Sequence, residues 1–309
     1  MSDQIVCRVL TGPTASGKTE IGIRLALEMG WHIVCMDSMQ IYRRMDIGTA
    51  KPTENEMQGV PHHMLDICEP TDTFTVADYR DKAERIVTEI HEQLQKEVLF
   101  IGGTVLYLRA MIHPMGMGQV QPDPELRKKL NQTALTEEGK REIHRRLERL
   151  DPVTAARLPL NDIRRVIRAI EVSEATGIPF SRQPSREMPD RFKWKLVSTA
   201  MDRQTLYTRI DKRVSAMIQK GLADEVAGLL AEGVPEDSQS MSGLGYKEMI
   251  PYIRGQCSLE EAAGMIRTGT RHFAKRQMTF LRKEENLHYI CMENAHAYEE
   301  IRRILLEGD

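Results

Sequence analysis

Eight consecutive residues near the N-terminus have the types and the spacing of a phosphate-binding loop. Residues 12–19 match the pattern G-x-x-x-x-G-K-[S/T] at every fixed position. They lie between a short apolar run, residues 5–10, and a helical pattern, residues 20–29, and the motif requires this strand–loop–helix arrangement. Glycines let backbone N–H groups turn toward phosphate oxygens, and the helix N-terminus adds the positive end of its dipole. The residues predicted to bind phosphate are Gly12, Pro13, Thr14, Ala15, Ser16, Gly17, Lys18 and Thr19.

Two side chains of this loop have specific expected roles. Lys18 would reach the terminal phosphate, and the hydroxyl of Thr19 would hold Mg²⁺, which is the predicted cofactor. The loop alone does not identify the anion. In nucleotide-hydrolysing proteins of this kind an apolar strand ends in an Asp that organises Mg²⁺, whereas the apolar run 98–101 ends here in Gly102-Gly103-Thr104.

Asp37 is the acidic candidate that remains, because it ends the apolar run 33–36. A carboxylate at this point can organise a metal ion, act as a general base, or cap a helix that begins at Ser38. The residues alone leave these three interpretations open.

The elements that position these residues follow from the hydrophobic periodicity. Short apolar runs at 5–10, 33–36 and 98–101 alternate with helical patterns at 20–29 and 76–95. Short buried strands that alternate with helices are typical of a parallel α/β sheet. We therefore expect an α/β fold with a parallel sheet of the P-loop NTPase type.

A helical segment is expected to interrupt this sheet. The pattern turns wholly helical at residues 123–175, residues 178–192 are rich in Pro, Ser and Arg and indicate a loop, and residues 194–201 again indicate a strand. The C-terminal third is predicted to be helical, with a capping box at Ser258 and Glu261. The predicted domains are residues 1–115 for the first part of the core, 116–194 for an all-helical insertion, and 195–309 for the second part of the core.

Composition restricts the class of protein. Hydrophobic residues make up 41% and charged residues 28%, which is ordinary for a globular protein. No apolar run is long enough to cross a bilayer, and the first residues do not have the pattern of a signal peptide. The five cysteines are far apart, so we expect no cysteine-based zinc site and reduced thiols in the cytoplasm.

The net charge of −2 hides an asymmetry along the chain. Residues 1–112 carry 11 Lys and Arg against 16 Asp and Glu, a net of −5, whereas residues 125–171 carry 12 against 8, a net of +4. Residues 267–283 carry six basic residues and no acidic one. Such segments are found in proteins that bind a polyanion, but basic solvent faces of amphipathic helices give the same count.

Several segments together resemble one family, in order and over nearly the whole chain. Besides residues 12–19 they are residues 37–52 (DSMQIYRRMDIGTAKP), 61–66 (PHHMLD), 102–107 (GGTVLY), 161–165 (NDIRR), 243–248 (GLGYKE) and 275–279 (KRQMT). The chain resembles the bacterial tRNA dimethylallyltransferases, also called isopentenyl-diphosphate:tRNA transferases. Phe280 stands where we expect Trp in that family, so an aromatic residue is retained.

The resemblance implies a reaction. The dimethylallyl group of dimethylallyl diphosphate would move to N6 of adenosine-37, just 3′ of the anticodon in tRNA, with release of diphosphate. The loop at residues 12–19 would then hold the diphosphate of the prenyl donor. The implied partners are the tRNA anticodon stem-loop and dimethylallyl diphosphate, and we expect a cytoplasmic monomer without a membrane partner.

The resemblance also implies roles for individual residues. Asp37 would be the general base, or the hydrogen-bond acceptor, for an N6 amine whose lone pair is delocalised into the ring. Thr104 would contact the target nucleotide and assist this base. Arg203 and Arg209 would approach the diphosphate from the other side, although a solvated helix face explains them equally well.

The insertion at residues 116–194 would bind tRNA, and Arg271 and Lys275, four residues apart, would share a basic helix face with Arg267. The residues expected to contact tRNA are Asp37, Ser38, Met39, Gln40, Thr104, Asn161, Asp162, Ile163, Arg164, Arg165, Arg271, Lys275, Arg276 and Gln277.

Three other functions share parts of this pattern. A P-loop kinase of small molecules or nucleotides would have the same loop and an Asp at a strand end, but it does not explain the basic C-terminal segment. An adenylate prenyltransferase would use the same chemistry on free AMP, which does not require so long a basic track. A non-catalytic RNA-binding protein with a degenerate loop would not need Lys18, Thr19 and Asp37 intact.

Overall fold

A computed structural model describes residues 4–114, 120–184 and 191–307. The chain forms two compact units, one made of Met1–His113 with Pro189–Asp309 and the other of Pro114–Met188. The helices, in chain order, are α1 (Lys18–Met29), α2 (Glu54–Met57), α3 (Val76–Leu94), α4 (Val105–Ile112), α5 (Pro124–Thr133), α6 (Glu137–Leu150), α7 (Pro152–Arg157), α8 (Ile163–Thr176), α9 (Arg203–Gln219), α10 (Leu222–Ala231), α11 (Tyr246–Ile253), α12 (Leu259–Leu281) and α13 (Ala297–Leu306).

A six-stranded parallel sheet forms the centre of the first unit. Its strands are β1 (Ile5–Thr11), β2 (His32–Cys35), β3 (His62–His63), β4 (Val98–Ile101), β5 (Phe192–Ala200) and β6 (Leu287–Cys291), in the order β3-β2-β4-β1-β5-β6. Every neighbouring pair is parallel. Cys7, Val9 and Leu10 of the central strand β1 are fully buried. Helices cover both faces of a parallel sheet, so its inner strands form continuous apolar runs in the sequence.

Helices pack on both faces of this sheet. On one face α1 and α13 pack on Leu10 and Ile33, and on the other face α3 and α4 pack on Val9 and Phe100. Helices α9 to α12 form a further apolar cluster with the loop that follows β2. No helix in the described part of the chain has the length and apolar character needed to span a membrane.

The expected parallel α/β core with a helical insertion is confirmed, with differences at the edges of the sheet. The strand predicted at residues 98–101 has those bounds, whereas β5 begins at Phe192, so the expected domain boundary at residue 194 falls inside a strand. The expectation that the C-terminal third is wholly helical is wrong, because Leu287–Cys291 pairs with β5. Only Leu287 and Ile290 of β6 are buried, so this edge strand has no continuous apolar run in the sequence.

The second unit is a small helical bundle built from α5 to α8. Leu130, Ile143 and Leu147 form its core with the buried face of α8. Inside it, the buried carboxylate of Glu171 accepts hydrogen bonds from the guanidinium of Arg127, at 2.8 Å from both Nε and Nη2. The loop expected at residues 178–192 contains a short 3₁₀ turn, Phe180–Arg182, and its residues 185–190 lie outside the described part of the chain.

Asp151 links three parts of this helical unit. Its carboxylate accepts from the backbone N–H of Thr154 at 3.0 Å, at the start of α7, and from the backbone N–H of Ser181 at 2.6 Å, in the 3₁₀ turn. Both hydroxyls donate to it as well. Burial raises the pKa of Asp151, but these hydrogen bonds stabilise the ionised form and together have the larger effect. The net result is a pKa of about 2, below the ordinary value of 3.8.

Asp151→Ala is expected to destabilise the helical unit by about 2 kcal/mol at pH 7, because it removes a cap and leaves buried donors without an acceptor. The stabilisation by the carboxylate is fully present above about pH 4 and is lost as the pH falls toward 2, because the folded-state pKa is the lower one. Urea unfolding at pH 7, 5 and 3 measures both effects. Asp162→Ala, at the start of α8, is the matched control. A difference between wild type and Asp151→Ala that stays constant from pH 7 to pH 3 would contradict this assignment.

Candidate active site

The carboxyl ends of β1, β2 and β4 meet at one edge of the sheet, where ligands bind in open α/β folds. The backbone N–H of Met36, after β2, donates to the carbonyl oxygen of Ile101 at 2.7 Å. The hydroxyl of Thr11 donates to the carbonyl oxygen of Gly102 at 2.8 Å. A Cβ on Gly102 would lie 2.0 Å from the carbonyl oxygen of Met36, so only glycine allows this approach. The three loops that follow these strands are therefore in direct contact.

The predicted phosphate-binding loop lies between β1 and α1, so the strand–loop–helix order that its motif requires is present. Gly12 has φ +136°, and a Cβ there would lie 2.1 Å from the hydroxyl of Thr199. Ser16 donates or accepts a 2.6 Å hydrogen bond with the same hydroxyl. Helix α1 begins at Lys18, so its N-terminal N–H groups face the loop. The loop is thus held against the end of β5.

Lys18 is buried beneath this loop. Its Nζ donates to the carbonyl oxygen of Pro13 at 2.7 Å. Burial lowers the pKa of Lys18 to about 7, the nearby cation Arg213 lowers it as well, and Asp37 raises it. An anion bound in the loop would raise the pKa of Lys18 and so oppose the effects of burial and of Arg213.

Gln277 on α12 braces the loop, a role that the sequence did not indicate. Its Oε1 accepts from the backbone N–H of Thr14 at 2.9 Å, and its Nε2 donates to the carbonyl oxygen of Gly103 at 2.7 Å. The side chain is buried, and a Cβ on Gly103 would lie 2.2 Å from Nε2. Gln277 was predicted to contact tRNA, but the oxygen and the nitrogen of its carboxamide are both already hydrogen-bonded to backbone groups.

Asp37 caps a turn and not a helix, because no helix begins at Ser38. Its Oδ1 accepts from the backbone N–H groups of Met39 at 2.8 Å and Gln40 at 3.3 Å. No donor among the described residues bonds to Oδ2. The hydroxyl of Thr104 accepts from the backbone N–H of Ser38 at 3.0 Å. Thr104 is thus hydrogen-bonded to the turn that carries Asp37, and both residues line one cavity.

Three cavities with shared walls surround these residues. The inner cavity, about 80 Å³, is lined by Lys18, Thr19, Asp37 and Gln40 among others. The outer cavity, about 560 Å³, shares Lys18 and Thr19 with it and also contacts Glu20. The helix cavity, about 270 Å³, shares Asp37 with the inner cavity and is also lined by Ser38, Met39, Thr104 and Arg276. Thr14, Lys18 and Thr19 of the predicted phosphate-binding residues therefore line one cavity with the predicted base, and this cavity shares lining residues with each of the other two.

Arg213 lines all three cavities, and the sequence analysis did not select it. It lies on α9 four residues after Arg209, which lines the outer cavity, and this spacing puts both on one helix face. Its Nη2 donates to the carbonyl oxygen of Thr49 at 3.2 Å. Burial lowers the pKa of Arg213, and the charge of Asp37 opposes that effect. Arg203, the other predicted cation, instead lies over the ring of Tyr207, 5.2 Å from its centroid.

The donor set of the inner cavity fits a magnesium ion held mainly by a phosphorylated ligand. The structurally described residues contain no group of three or more His, Cys, Asp or Glu that could hold a metal ion. The hydroxyl of Thr19 and the carboxylate of Asp37 both line the inner cavity. Mg²⁺ in proteins is commonly held by one or two protein oxygens together with substrate phosphates and water.

The predicted tRNA contacts of the helical unit differ in their surroundings. Arg164 is exposed. Arg165 forms an ion pair with Asp162, and the side-chain oxygen of Asn161 accepts from Lys140 at 3.3 Å. Ile163 packs against the core of the unit.

On α12, only part of the predicted basic face is available to an anion. The guanidinium of Arg271 forms an ion pair with Asp211, at 2.6 Å, and Arg267 pairs with Glu260. Lys275 and Arg276 are exposed, and neither has an acidic partner within residues 4–114, 120–184 and 191–307.

Comparison with known proteins gives the same family across the chain. The sequence model of the IPP transferase family matches residues 40–284. A tRNA dimethylallyltransferase of Pelotomaculum thermopropionicum is 45% identical over 287 residues, which is 93% of this chain and 90% of that protein. A tRNA dimethylallyltransferase of Caldanaerobacter subterraneus is 40% identical over 311 residues, 99% of this chain and 98% of that protein.

Solved structures agree with the sequence relatives. The crystal structure of the full-length tRNA isopentenylpyrophosphate transferase from Bacillus halodurans superposes with a TM-score of 0.71 at 37% identity, over 98% of this chain and 96% of that chain. A eukaryotic dimethylallyltransferase acting on tRNA superposes with a TM-score of 0.76 over 93% of this chain and 74% of that chain. At 23% identity the latter likeness supports the fold alone.

Inorganic diphosphate is expected to bind this site with a pH dependence that comes from Lys18. Because burial holds the pKa of Lys18 near 7, the cation is present below that pH and affinity falls as the pH rises above it. Binding at pH 8 should therefore take up a proton at Lys18. Calorimetry in buffers of different ionisation enthalpy measures this uptake. Lys18→Arg, which stays charged, is the control for titration of the ligand itself. Equal proton uptake by the two proteins would contradict the assignment.

Proposed function

The chain belongs to the IPP transferase family, and from that premise we propose that it transfers a dimethylallyl group from dimethylallyl diphosphate to N6 of adenosine-37 in tRNA. The observation that carries the proposal is the inner cavity, which brings Lys18 and Thr19 of the phosphate-binding loop to the same space as the carboxylate of Asp37. A diphosphate leaving group and a nucleophilic amine need these groups on opposite sides of one reacting carbon.

The phosphate-binding loop would hold the diphosphate of the prenyl donor. As the allylic C–O bond breaks, negative charge develops on the leaving oxygen. The loop N–H groups, Lys18 and Arg213 would stabilise that charge with little reorganisation, because hydrogen bonds to backbone carbonyl oxygens already hold the two cations in place. Arg209 approaches from the outer cavity. Mg²⁺ bound with the donor, with the hydroxyl of Thr19 as its protein ligand, would add charge stabilisation for the diphosphate.

The acceptor adenine would occupy the helix cavity with N6 toward Asp37. A base in a single-stranded anticodon loop costs only a few kcal/mol to extrude. Oδ1 of Asp37 is held by two backbone N–H groups, which leaves Oδ2 to accept the N6 proton as the N–C bond forms. Thr104 fixes the turn that carries Asp37, through the backbone N–H of Ser38.

The remaining groups would bind the RNA backbone. Lys275 and Arg276 of α12 and Arg164 of the helical unit are exposed cations suited to phosphate contacts. Ser38 and Met39 line the helix cavity and would contact the target nucleotide. Since its substrate is tRNA, we place the enzyme in the cytoplasm, and we propose that a single chain carries the whole site.

Asp37→Asn is expected to lower kcat for prenyl transfer by at least about 100-fold, because the amide cannot accept the N6 proton. Binding of the stem-loop should stay within about twofold of wild type, since Oδ1 of the amide can still cap the turn. Labelled dimethylallyl diphosphate and filter binding of the same RNA measure the two quantities. Loss of RNA binding in parallel with transfer would mean that Asp37 has only a structural role.

Lys275→Ala with Arg276→Ala is expected to weaken tRNA binding about tenfold and to reduce the slope of log K against log salt by about 2, because two phosphate contacts are lost. Arg302→Ala with Arg303→Ala on α13 removes the same charge from the helix that packs with α1, and is the matched control. If both double variants keep the wild-type slope, α12 does not contact the RNA.

A further inference from the structure

One carboxylate on α10 holds three consecutive backbone amides of the loop that follows β2. Oε2 of Glu225 accepts from the N–H groups of Asp46 at 2.9 Å and Ile47 at 2.8 Å, and Oε1 accepts from Gly48 at 3.1 Å. Hydrogen bonds to an ionised acceptor are the stronger kind, and three of them leave this stretch of backbone little freedom. We call residues 46–50 the amide loop.

Tyr246 completes this arrangement from α11. Its hydroxyl donates to Oε1 of Glu225 at 2.6 Å, and its side chain is fully buried. Burial raises the pKa of Tyr246, and the charge of Glu225 raises it further, so the hydroxyl remains a donor. A Cβ on Gly48 would lie 2.4 Å from the ring, so the amide loop packs directly on this tyrosine.

The amide loop in turn holds two side chains of the proposed active site. The carbonyl oxygen of Thr49 accepts from Nη2 of Arg213 and from Nε2 of Gln40, both at 3.2 Å. The carbonyl oxygen of Ala50 accepts from Gln40 at the same distance, and Ala50 lines the inner and outer cavities. A displaced amide loop would therefore remove the acceptor that orients Arg213.

We propose that Glu225 is a positioning residue for the diphosphate: it fixes the amide loop, and the loop fixes the guanidinium of Arg213 in the wall of the three cavities. The inference rests on the proposed function, because the ligand that Arg213 meets is the diphosphate of the prenyl donor. Glu225 itself lines none of these three cavities. Glu225 acts on Arg213 through the backbone carbonyl of Thr49, so its substitution should change binding of the prenyl donor more than binding of RNA.

Glu225→Gln tests this inference, because the amide keeps the size of the side chain but loses the charge that holds three N–H groups. Asp224→Asn is the matched control, since Asp224 is an exposed acid in the same first turn of α10. Steady-state transfer to an anticodon stem-loop gives KM for dimethylallyl diphosphate, KM for RNA and kcat, and calorimetry gives Kd for inorganic diphosphate.

We expect Glu225→Gln to raise KM for the donor and Kd for diphosphate about tenfold, with KM for RNA within about twofold of wild type. Asp224→Asn should match wild type throughout. A purely structural role would lower Tm and the active fraction without changing these constants. Unchanged donor constants in Glu225→Gln, with wild type active, would overturn the inference, whereas an inactive wild type would overturn the proposed function.

If Glu225→Gln does not fold, Tyr246→Phe provides a second test of the role of Glu225. It keeps the three amide contacts of the carboxylate and removes only the hydroxyl contact, so a smaller increase of about threefold in the diphosphate Kd is expected. A wild-type Kd in a folded Tyr246→Phe protein would then contradict the proposal.

Discussion

The site depends on the close approach of three loops at the carboxyl edge of the sheet. Gly102 allows the end of β4 to touch Met36, and Gly12 allows the loop after β1 to touch Thr199 at the end of β5. A Cβ at either position would clash with the facing loop, so any larger residue would force the loops apart. This contact brings a phosphate-binding loop and the carboxylate of Asp37 into one small cavity, and the order of the strands determines which loops can meet.

Buried charge is the second feature on which the chemistry rests. Lys18 is a buried cation and Arg213 a partly buried one, both near Asp37, and loss of hydration lowers the pKa of each. Buried cations without a full complement of anions are costly, and a bound diphosphate would supply the missing charge. The same groups would then stabilise the diphosphate most when its leaving oxygen gains charge. The folded site is therefore electrostatically complementary to the leaving group before the substrate binds.

Local patterns predicted the core, and tertiary contacts account for what they missed. The strand–loop–helix order around residues 12–19 and the bounds of β4 follow from short-range spacing, and the structure has both. Strands β3 and β6 were missed because edge strands bury few residues. Arg213 and Gln277 were not identified for the roles they have, because those roles are set by residues far away in the chain, at Thr49 and at Thr14. The i, i+4 spacing from Arg209 was the only sequence signal for Arg213.

Prenyl transfer by the purified chain, with Mg²⁺ and labelled dimethylallyl diphosphate, is the assay that decides whether the proposed reaction takes place. Parallel reactions would contain an anticodon stem-loop with adenosine at position 37, the same stem-loop with guanosine there, AMP, and ATP without RNA. We expect label in the adenosine-37 stem-loop alone. Label in AMP alone would instead indicate a prenyltransferase of free nucleotides. Turnover of ATP with no transfer to RNA would show that the loop serves a kinase site and would contradict the proposed function.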